Sequence, residues 1–351
     1  MGFGLAPLLR RHAARRAGAV WNAETRVLRG LGLARPAASV QWIATRACDL
    51  ACLHCYSHAG ERAADELSAD EAKRLVVDEL GAMGCTSLVL AGGEVLLRRD
   101  LPEIVAHAAS RGVEWSLQTH GGHVPRARPM LEAHPPAMAA VSLDGTEELH
   151  DLFRGRRGSF AGALEAIAVL KACGVRDVVA GTTITRDNAD SLSEIFDVVV
   201  RSGADAWGVH LFAPEGRGEG CRELFPTPEQ LRRVVAFARR KRLVFDVELG
   251  DEWGGAGADD ALYRDTPFFC GAGRFTCVVG PGGEVVPCTT TDLAQSEGNV
   301  RERPLSEIWA SGFSRFRAPG HGACSETSEC WLQARNGNAC ARAAFGAEAA
   351  R

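Results

Sequence analysis

The sequence has few aromatic residues, little net charge and no long apolar run. Aromatic residues make up only 7% of its 351 residues, which argues against a surface that stacks nucleic-acid bases. The formal net charge is −4, so no overall positive charge predicts binding to nucleic acid. No stretch of eighteen apolar residues occurs, and a membrane span is therefore not expected. The length is sufficient for a sizeable core and more than one domain.

Cysteine, by contrast, is abundant, with twelve residues. No signal peptide is recognised, so the clustered cysteines predict metal binding in a reducing cytoplasm rather than disulfides. Cys48, Cys52 and Cys55 follow an apolar run at 40–44 that is typical of a strand. Three thiolates on one loop can bind three irons of a 4Fe–4S cluster and leave the fourth iron open. Zinc is the alternative, since Cys and His at short spacing also bind zinc and His54 lies in the same loop.

Strand and helix patterns alternate between residues 40 and 220. Strands are predicted at 40–46, 86–91, 113–119, 138–144, 176–184 and 205–212, and helices at 68–83, 100–111, 128–134, 159–173 and 190–202. Alternation of this kind is typical of α/β proteins with a parallel sheet. Functional side chains are then expected at the carboxyl ends of the strands.

Three motifs fall at predicted strand ends in a recognisable order. The CxxxCxxC loop of residues 48–55 resembles the cluster loop of the radical S-adenosylmethionine (AdoMet) enzymes. Gly92, Gly93 and Glu94 resemble that family's GGE motif, although Val95 replaces the usual Pro. The segment 141–145 resembles the strand end that lies near the AdoMet ribose. It contains two of the predicted cofactor-binding residues, Ser142 and Asp144.

The segment that follows resembles the family's HDxxRG motif, at residues 150–155. The resemblance implies that Arg154 meets the methionine carboxylate and that Glu94 helps to hold the amino group. His120 stands where relatives often carry Asn and is also predicted to bind the cofactor. The implied fold is a partial (β/α)6 TIM-like barrel. The implied cofactors are a 4Fe–4S cluster and AdoMet, with an electron donor of the flavodoxin or ferredoxin type.

A second group of cysteines lies after residue 263. It resembles the SPASM extension of radical AdoMet enzymes, a small Cys-rich domain that holds auxiliary iron–sulfur clusters. The implied ligands are Cys270, Cys277, Cys288, Cys324, Cys330 and Cys340, with His321 as a possible further ligand. His321 and Ala334 stand where the family pattern has Cys. One or two auxiliary clusters are therefore expected.

Four regions are predicted along the chain. Residues 1–39 form a basic helical extension, and residues 40–220 form the barrel. Residues 221–262 contain a helix at 228–241 and a strand at 243–249, and residues 263–351 form the SPASM-like domain with a hairpin at 278–288. The isolated cysteines Cys85, Cys173 and Cys221 are predicted to be structural. His210 and Arg217, near the end of the last barrel strand, are candidate contacts, and no general base is assigned.

The resemblance implies an enzyme that cleaves AdoMet and takes hydrogen from a substrate carbon. Modification of a ribosomally made peptide is the first hypothesis, with a separate recognition partner because no recognition domain is fused. Oxidation or decarboxylation of haem-precursor side chains is the alternative. Thr289 follows Cys288 where sulfatase-maturing enzymes usually have Asp, which disfavours that branch. A non-catalytic metal scaffold and an iron–sulfur electron carrier are further alternatives, but neither needs an AdoMet pocket.

Overall fold

A single nine-stranded sheet organises the residues that the computed structural model describes, which are 37–253, 271–289 and 291–317. The strands run in the spatial order β7-β6-β5-β4-β3-β2-β1-β8-β9. Strands β1 to β8 pair in parallel, and β9 pairs antiparallel with β8. The strands are β1 Ser39–Thr45, β2 Ser87–Gly92, β3 Glu114–Thr119, β4 Met138–Ser142, β5 Asp177–Ile184, β6 Ala206–Leu211, β7 Asp246–Leu249, β8 Thr276–Val279 and β9 Val285–Val286.

Helices connect the parallel strands, as the alternating pattern predicts. The first helix, α1, joins Ala69–Glu71, a π-helical segment Ala72–Val77 and Asp78–Ala82. The others are α2 Leu101–Ser110, α3 Val124–Ala133, α4 Glu147–Arg154, α5 Ser159–Ala172, α6 Leu192–Ser202, α7 Pro228–Lys241, α8 Leu305–Ser311 and α9 Ser314–Arg317. In the ranges described, no helix is long and apolar enough to cross a bilayer.

Helix starts follow the capping chemistry of the sequence. Ser68 and Glu71 form the predicted capping box at the start of α1. Thr227 and Gln230 form a second box at the start of α7, where Pro228 occupies the first turn. In both cases the side chains satisfy amide groups that have no partner within the helix, and the helix therefore begins at a defined residue.

Three local predictions differ from the structure. Helix α3 begins at Val124 rather than residue 128, because Pro125 suits a first turn. The HDxxRG segment lies in a helix, α4, that was not predicted and that ends at Gly155 in the left-handed conformation. Strand β7 begins at Asp246 rather than residue 243. Leu243 is 79% exposed in the turn after α7, so its apolar character does not indicate a strand.

Alternation along β1 separates the core from the functional face. Val40, Trp42 and Ala44 are fully buried in the main apolar cluster. Ile43 and Thr45 lie on the opposite face and line a cavity. Side chains of successive strand residues point to opposite faces, so one face of the sheet is covered by helices while the other carries the site.

The hairpin β8–β9 extends the sheet past β1. Val40 pairs with Cys277 and Trp42 with Val279, so β8 continues the same parallel register. Side-chain contacts add to this join, since Arg301 forms an ion pair with Glu71 of α1 at 2.7 Å. Cys277, which lies on β8, is therefore next to the strand that precedes the cluster loop, and Cys288 follows the second strand of the same hairpin.

Candidate functional site

A cavity of about 180 Å³ lies where β1 to β5 end. It is lined by residues from the loops after several strands, and these include most of the predicted cofactor-binding residues. The lining residues are Cys48, Leu50, Cys52, His54, Cys55, Tyr56, Ser57, Ala59, Gly92, Gly93, Gln118, Thr119, His120, Ser142, Arg154, Thr183 and Arg217. The structure thus brings together the cluster loop and three other motifs that are as far as 106 residues apart in sequence (154 − 48).

All three cysteines of the cluster loop line this cavity. Cys52 is buried, whereas Cys48 and Cys55 are half-buried. Desolvation raises the pKa of Cys48 to about 11, and it also raises the pKa of Cys52, against the opposing effect of Arg154. Such thiols become thiolates when a cation binds them. Three sulfur donors that line one cavity together with Gly92 and Gly93 fit a 4Fe–4S cluster with one free iron.

Asp49, next to the first cysteine, ties the cluster loop to the segment after β3. Its carboxylate lies 3.0 Å from His120 Nε2 and 3.1 Å from His123 Nε2, and it also pairs with Arg156. Burial raises the pKa of Asp49, but these partners outweigh burial and hold that pKa well below its usual range. Ligand atoms of Cys48, Asp49 and His120 lie within 4.8 Å of one another. These side chains are also of the types that bind zinc, and iron and zinc analysis of the protein distinguishes the two metals.

Gly92 and Gly93 are required by the approach of another backbone segment. A Cβ on Gly92 would lie 2.4 Å from the carbonyl oxygen of Thr45, and one on Gly93 would lie 2.3 Å from that of Ala47. The end of β2 therefore contacts the start of the cluster loop directly, which only glycine permits. The motif fixes the loop as well as forming part of the cavity wall.

Glu94 is fully buried and anchors the neighbouring strand end. Its carboxylate accepts hydrogen bonds from Thr119 Oγ1 at 2.8 Å, from the His120 amide at 3.0 Å and from the Leu96 amide at 3.1 Å. The side chain therefore positions the segment after β3, including His120, against the cavity. Its predicted contact with the AdoMet amino group stays a prediction.

Asp144 and Arg154 form a buried ion pair beside Cys52. Arg154 Nε and Nη2 each lie 2.6 Å from Asp144 Oδ2, and Arg154 Nη1 lies 3.8 Å from Cys52 Sγ. Asp144 also accepts a hydrogen bond from the Thr183 amide at 3.0 Å. Burial raises the pKa of Asp144, but the positive charge of Arg154 outweighs burial and lowers that pKa to about 2. The pair links α4 and β5 to the cluster loop, a structural connection that motif spacing does not reveal.

A second cavity, of about 460 Å³, adjoins the first. The two cavities share Tyr56, Ser57 and Gly93, and the hairpin β8–β9 contributes Val278 and Val286 to the second. Desolvation of its hydroxyl and the nearby groups Cys55, Glu252 and Glu215 raise the pKa of Tyr56 to about 12, although the residue as a whole is 37% exposed. Because its lining residues come from both regions, the second cavity lies between the cluster loop and the C-terminal part of the chain.

His210 lies on the same side of the sheet as these cavities. It pairs in register with Thr183, which lines the first cavity. Its Nδ1 lies 2.7 Å from Glu252 Oε1. Burial raises the pKa of Glu252, but His210 outweighs burial and holds that pKa below its ordinary value. Sequence spacing indicated His210 alone, because Glu252 follows 42 residues later in a turn with no motif of its own.

The C-terminal cysteines of the described chain have different surroundings. Cys288 is half-buried, with its Sγ 3.4 Å from Thr291 Oγ1, beside the second cavity. Cys277 is fully buried in the apolar cluster that also contains Cys85. Neither role as a cluster ligand is tested; both stay predictions, and the apolar surroundings of Cys277 make it the less suited of the two to metal binding. The other proposed ligands, Cys270, Cys324, Cys330, Cys340 and His321, lie outside the described residues, as does most of the N-terminal extension.

The site combines a parallel sheet, a loop with three thiols and a cavity lined by Gly92 and Gly93. This combination is typical of enzymes that use an iron–sulfur cluster together with AdoMet. Comparison with known families agrees, and the chain belongs to the radical SAM superfamily. The profile of that superfamily matches residues 42–199, and the profile of the SPASM iron–sulfur cluster-binding domain matches residues 270–331. The cofactors of this family are a 4Fe–4S cluster and AdoMet, and a SPASM domain implies auxiliary clusters.

Named relatives cover most of the chain. It is 35% identical to mycofactocin maturase MftC of Mycolicibacterium smegmatis over 81% of this chain and 74% of that protein. It is 30% identical to AdoMet-dependent heme synthase of Nitratidesulfovibrio vulgaris over 79% of this chain and 80% of that protein. The crystal structure of Streptococcus suis SuiB bound to precursor peptide SuiA has a similar fold, with a TM-score of 0.63 at 15% identity, covering 81% of this chain and 67% of that one.

Proposed function

We propose that this protein cleaves AdoMet reductively and abstracts hydrogen from a carbon of a peptide substrate. The observation that carries the proposal is the meeting of Cys48, Cys52 and Cys55 with Gly92 and Gly93 around one cavity. When bound, a reduced 4Fe–4S cluster supplies the electron that splits AdoMet into methionine and a 5′-deoxyadenosyl radical.

The chain's own residues bind and orient these groups. Cys48, Cys52 and Cys55 would hold three irons. Buried Glu94 and the Asp144–Arg154 pair fix the walls that surround them. A substrate bound in the second cavity would lie beside Tyr56 and Gly93, which also line the first cavity.

A peptide is the substrate that we favour. The mycofactocin maturase relative is 35% identical, and the similarly folded SuiB is described as bound to a precursor peptide. The second cavity, about 460 Å³, is of a size to take a few side chains, and its walls mix charged, hydroxyl-bearing and aliphatic residues. A separate recognition protein and a flavodoxin- or ferredoxin-type electron donor complete the proposal, and both are expected to act in the cytoplasm.

A haem precursor is the second candidate substrate. A relative named AdoMet-dependent heme synthase is 30% identical over most of both chains. Oxidation or decarboxylation of a tetrapyrrole side chain would use the same radical chemistry. The two candidates differ in what must enter the second cavity, since a peptide can insert one side chain whereas a macrocycle is rigid.

The test begins with anaerobic reconstitution of the wild type, followed by iron and sulfide counts. Incubation with AdoMet and dithionite should yield 5′-deoxyadenosine. Deuterium transfer into that product from a deuterated precursor peptide, but not from deuterated coproporphyrin, would support peptide modification, and the reverse result would support the second candidate. Zinc in place of iron, or no 5′-deoxyadenosine from fully loaded enzyme, would refute the proposed reaction.

A further inference from the structure

The loop after β6 is fastened to the cluster loop by one residue, Arg217. Its backbone amide donates a hydrogen bond to the carbonyl of Cys55 at 2.9 Å. Its Nε donates to the carbonyl of Cys52 at 3.0 Å, and its Nη1 donates to the carbonyl of Ala59. Two of the three carbonyls belong to residues that carry cluster thiols. The backbone geometry of the thiol loop therefore depends on a side chain that lies more than 150 residues away in sequence.

Gly216 allows this close contact. Its φ is +59°, and a Cβ at this position would lie 2.3 Å from the carbonyl oxygen of Tyr56 and 2.6 Å from that of Cys55. A side chain would thus clash with backbone atoms and would also be strained by the left-handed conformation. The Gly216–Arg217 dipeptide is shaped to touch the cluster loop, which a merely adjacent exit loop would not require.

One part of the Arg217 guanidinium is left without a protein partner. Nη2 is buried and makes no hydrogen bond to any residue that the structure describes. Arg217 lines the first cavity together with the three cluster cysteines. The other guanidinium in the cavity wall, that of Arg154, already directs Nε and Nη2 at Asp144 and Nη1 at Cys52. Arg217 is thus the guanidinium in this wall with an unused donor.

The great majority of buried polar atoms in native proteins are hydrogen-bonded, because a buried donor without a partner is unfavourable. We propose that Arg217 is a positioning residue for the cluster loop and that its Nη2 binds an anionic group held in the first cavity. The anionic group is either the carboxylate of AdoMet or a sulfur of the bound cluster. This inference rests on the proposed function, and it transfers to Arg217 a contact that the family resemblance had assigned to Arg154.

The test compares Arg217→Gln and Arg217→Lys with a control from the same segment, Arg222→Gln. Arg222 is 57% exposed and pairs with Glu219 on the surface, so its loss should not alter the cavity. Each reconstituted protein is assayed for iron content and for the EPR spectrum of the reduced cluster. Dissociation constants are then measured for AdoMet and for decarboxylated AdoMet, which lacks the carboxylate.

A carboxylate contact predicts that Arg217→Gln weakens AdoMet binding at least tenfold and leaves binding of decarboxylated AdoMet within twofold of the control. A contact with cluster sulfur predicts an altered EPR spectrum without AdoMet and equal losses for both ligands. Arg217→Lys should restore part of either effect, because it keeps the charge but not the paired guanidinium hydrogen bonds to the carbonyls of Cys52 and Ala59.

Two results would overturn the inference. One is a variant with control-like iron content, EPR spectrum and affinity for both ligands. The other is a cluster lost equally from Arg217→Gln and Arg222→Gln. If Arg217→Gln cannot retain iron but the control does, the positioning role is supported, and Arg217→Lys then reports on the anionic contact. Failure of wild-type enzyme to cleave AdoMet would instead refute the proposed function, so the two failures are distinguishable.

Discussion

Two adjacent strands present cysteines in opposite ways. After β1, Cys48, Cys52 and Cys55 lie on a loop that surrounds a polar cavity. On β8, which pairs with β1, Cys277 is fully buried among apolar side chains. The difference comes from position in the strand. A residue beyond the carboxyl end faces the site, whereas a residue within the strand on the helix-covered face belongs to the core.

The charges around the two sets of thiols differ as well. Arg154 opposes the effect of burial on Cys52 and lies within 3.8 Å of its Sγ. Burial raises the pKa of Cys277 to about 12, the neighbouring Cys85 acts in the same direction, and only Arg317 opposes it. A thiol next to a cation and an open cavity is suited to metal binding. A thiol enclosed by apolar groups behaves as a small hydrophobic residue.

The largest expected effect is the loss of the cluster-loop thiols. In Cys48→Ala/Cys52→Ala/Cys55→Ala we expect about four fewer irons per chain. Production of 5′-deoxyadenosine should fall to the level of a control without enzyme, because no open iron remains to bind AdoMet. Iron analysis and product chromatography measure both. Cys173→Ala, which removes an isolated thiol at the end of α5, is the control and should keep its iron and its activity.

Breaking the buried pair beside Cys52 should destabilise the site region strongly. Asp144→Asn leaves Arg154 as an uncompensated buried charge, and we expect a loss of about 3–5 kcal/mol in the free energy of unfolding. Urea denaturation followed by circular dichroism measures it. The exposed pair Arg128–Glu132 provides the matched case, and Arg128→Gln should cost less than about 1 kcal/mol. Equal losses in the two variants would contradict the importance of burial at this site.

The contact between the exit loop and the cluster loop should tolerate no side chain at Gly216. Gly216→Ala introduces a clash with the Tyr56 carbonyl and a positive φ, with an expected cost of about 1–3 kcal/mol. Its iron content after reconstitution should also fall. Gly220→Ala is the control in the same segment, since a Cβ there meets no atom within 4 Å. Thermal unfolding of both apo proteins and iron counts after reconstitution test this prediction.

Cys277→Val tests whether the buried thiol of β8 differs from the cluster-loop thiols in metal binding. Because Cys277 is enclosed by apolar residues, we expect the variant to keep its full iron content and to lose less than about 1.5 kcal/mol of stability. Cys288→Ala is the paired variant, and we expect it to lower auxiliary iron. A fall in iron for Cys277→Val would instead identify Cys277 as a ligand, as the SPASM resemblance implies.

The smallest effect is expected where α1 meets the C-terminal part of the chain. Hydrogen bonds from Arg301 and from the Ser68 amide lower the pKa of Glu71 to about 2. A lowered folded pKa stabilises the protein above the unfolded pKa near 4.5, and this contribution is lost as the pH falls towards 2. Glu71→Gln should therefore lower the Tm of the apo protein slightly at pH 7 and much less at pH 3. An equal difference at both values would contradict the assignment.

Much of this architecture follows from local patterns. Alternating apolar residues in β1 and β5 and the capping box at Ser68 are short-range signals, so strand and helix positions could be predicted to within a few residues. The parallel order of β1 to β6 is confirmed, as is membership of the radical SAM superfamily with a SPASM domain. The cluster cysteines could be named because their spacing alone restricts the metals they suit.

Contacts between distant segments could not be predicted in the same way. The contacts of Asp144 with Thr183 and of His210 with Glu252 depend on how distant segments meet, which no local sequence pattern indicates. The structural reason for glycine at position 93 could not be predicted either, because the backbone of Ala47, which would clash with a Cβ there, lies in a different segment of the chain. The pairing of β8 with β1 was also missed, because a hairpin signal does not reveal which strand it joins.

That pairing has a consequence for how the chain is made. Ser39 of β1 pairs with Thr276 of β8, 237 residues later (276 − 39). At a synthesis rate of roughly 5–20 residues per second, β1 leaves the ribosome on the order of 10–50 s before its covering strand exists. During that interval one row of its backbone amides and carbonyls is an open sheet edge, which is prone to pair with other chains. Nascent chains of this protein should therefore depend on chaperones until the C-terminal hairpin is complete.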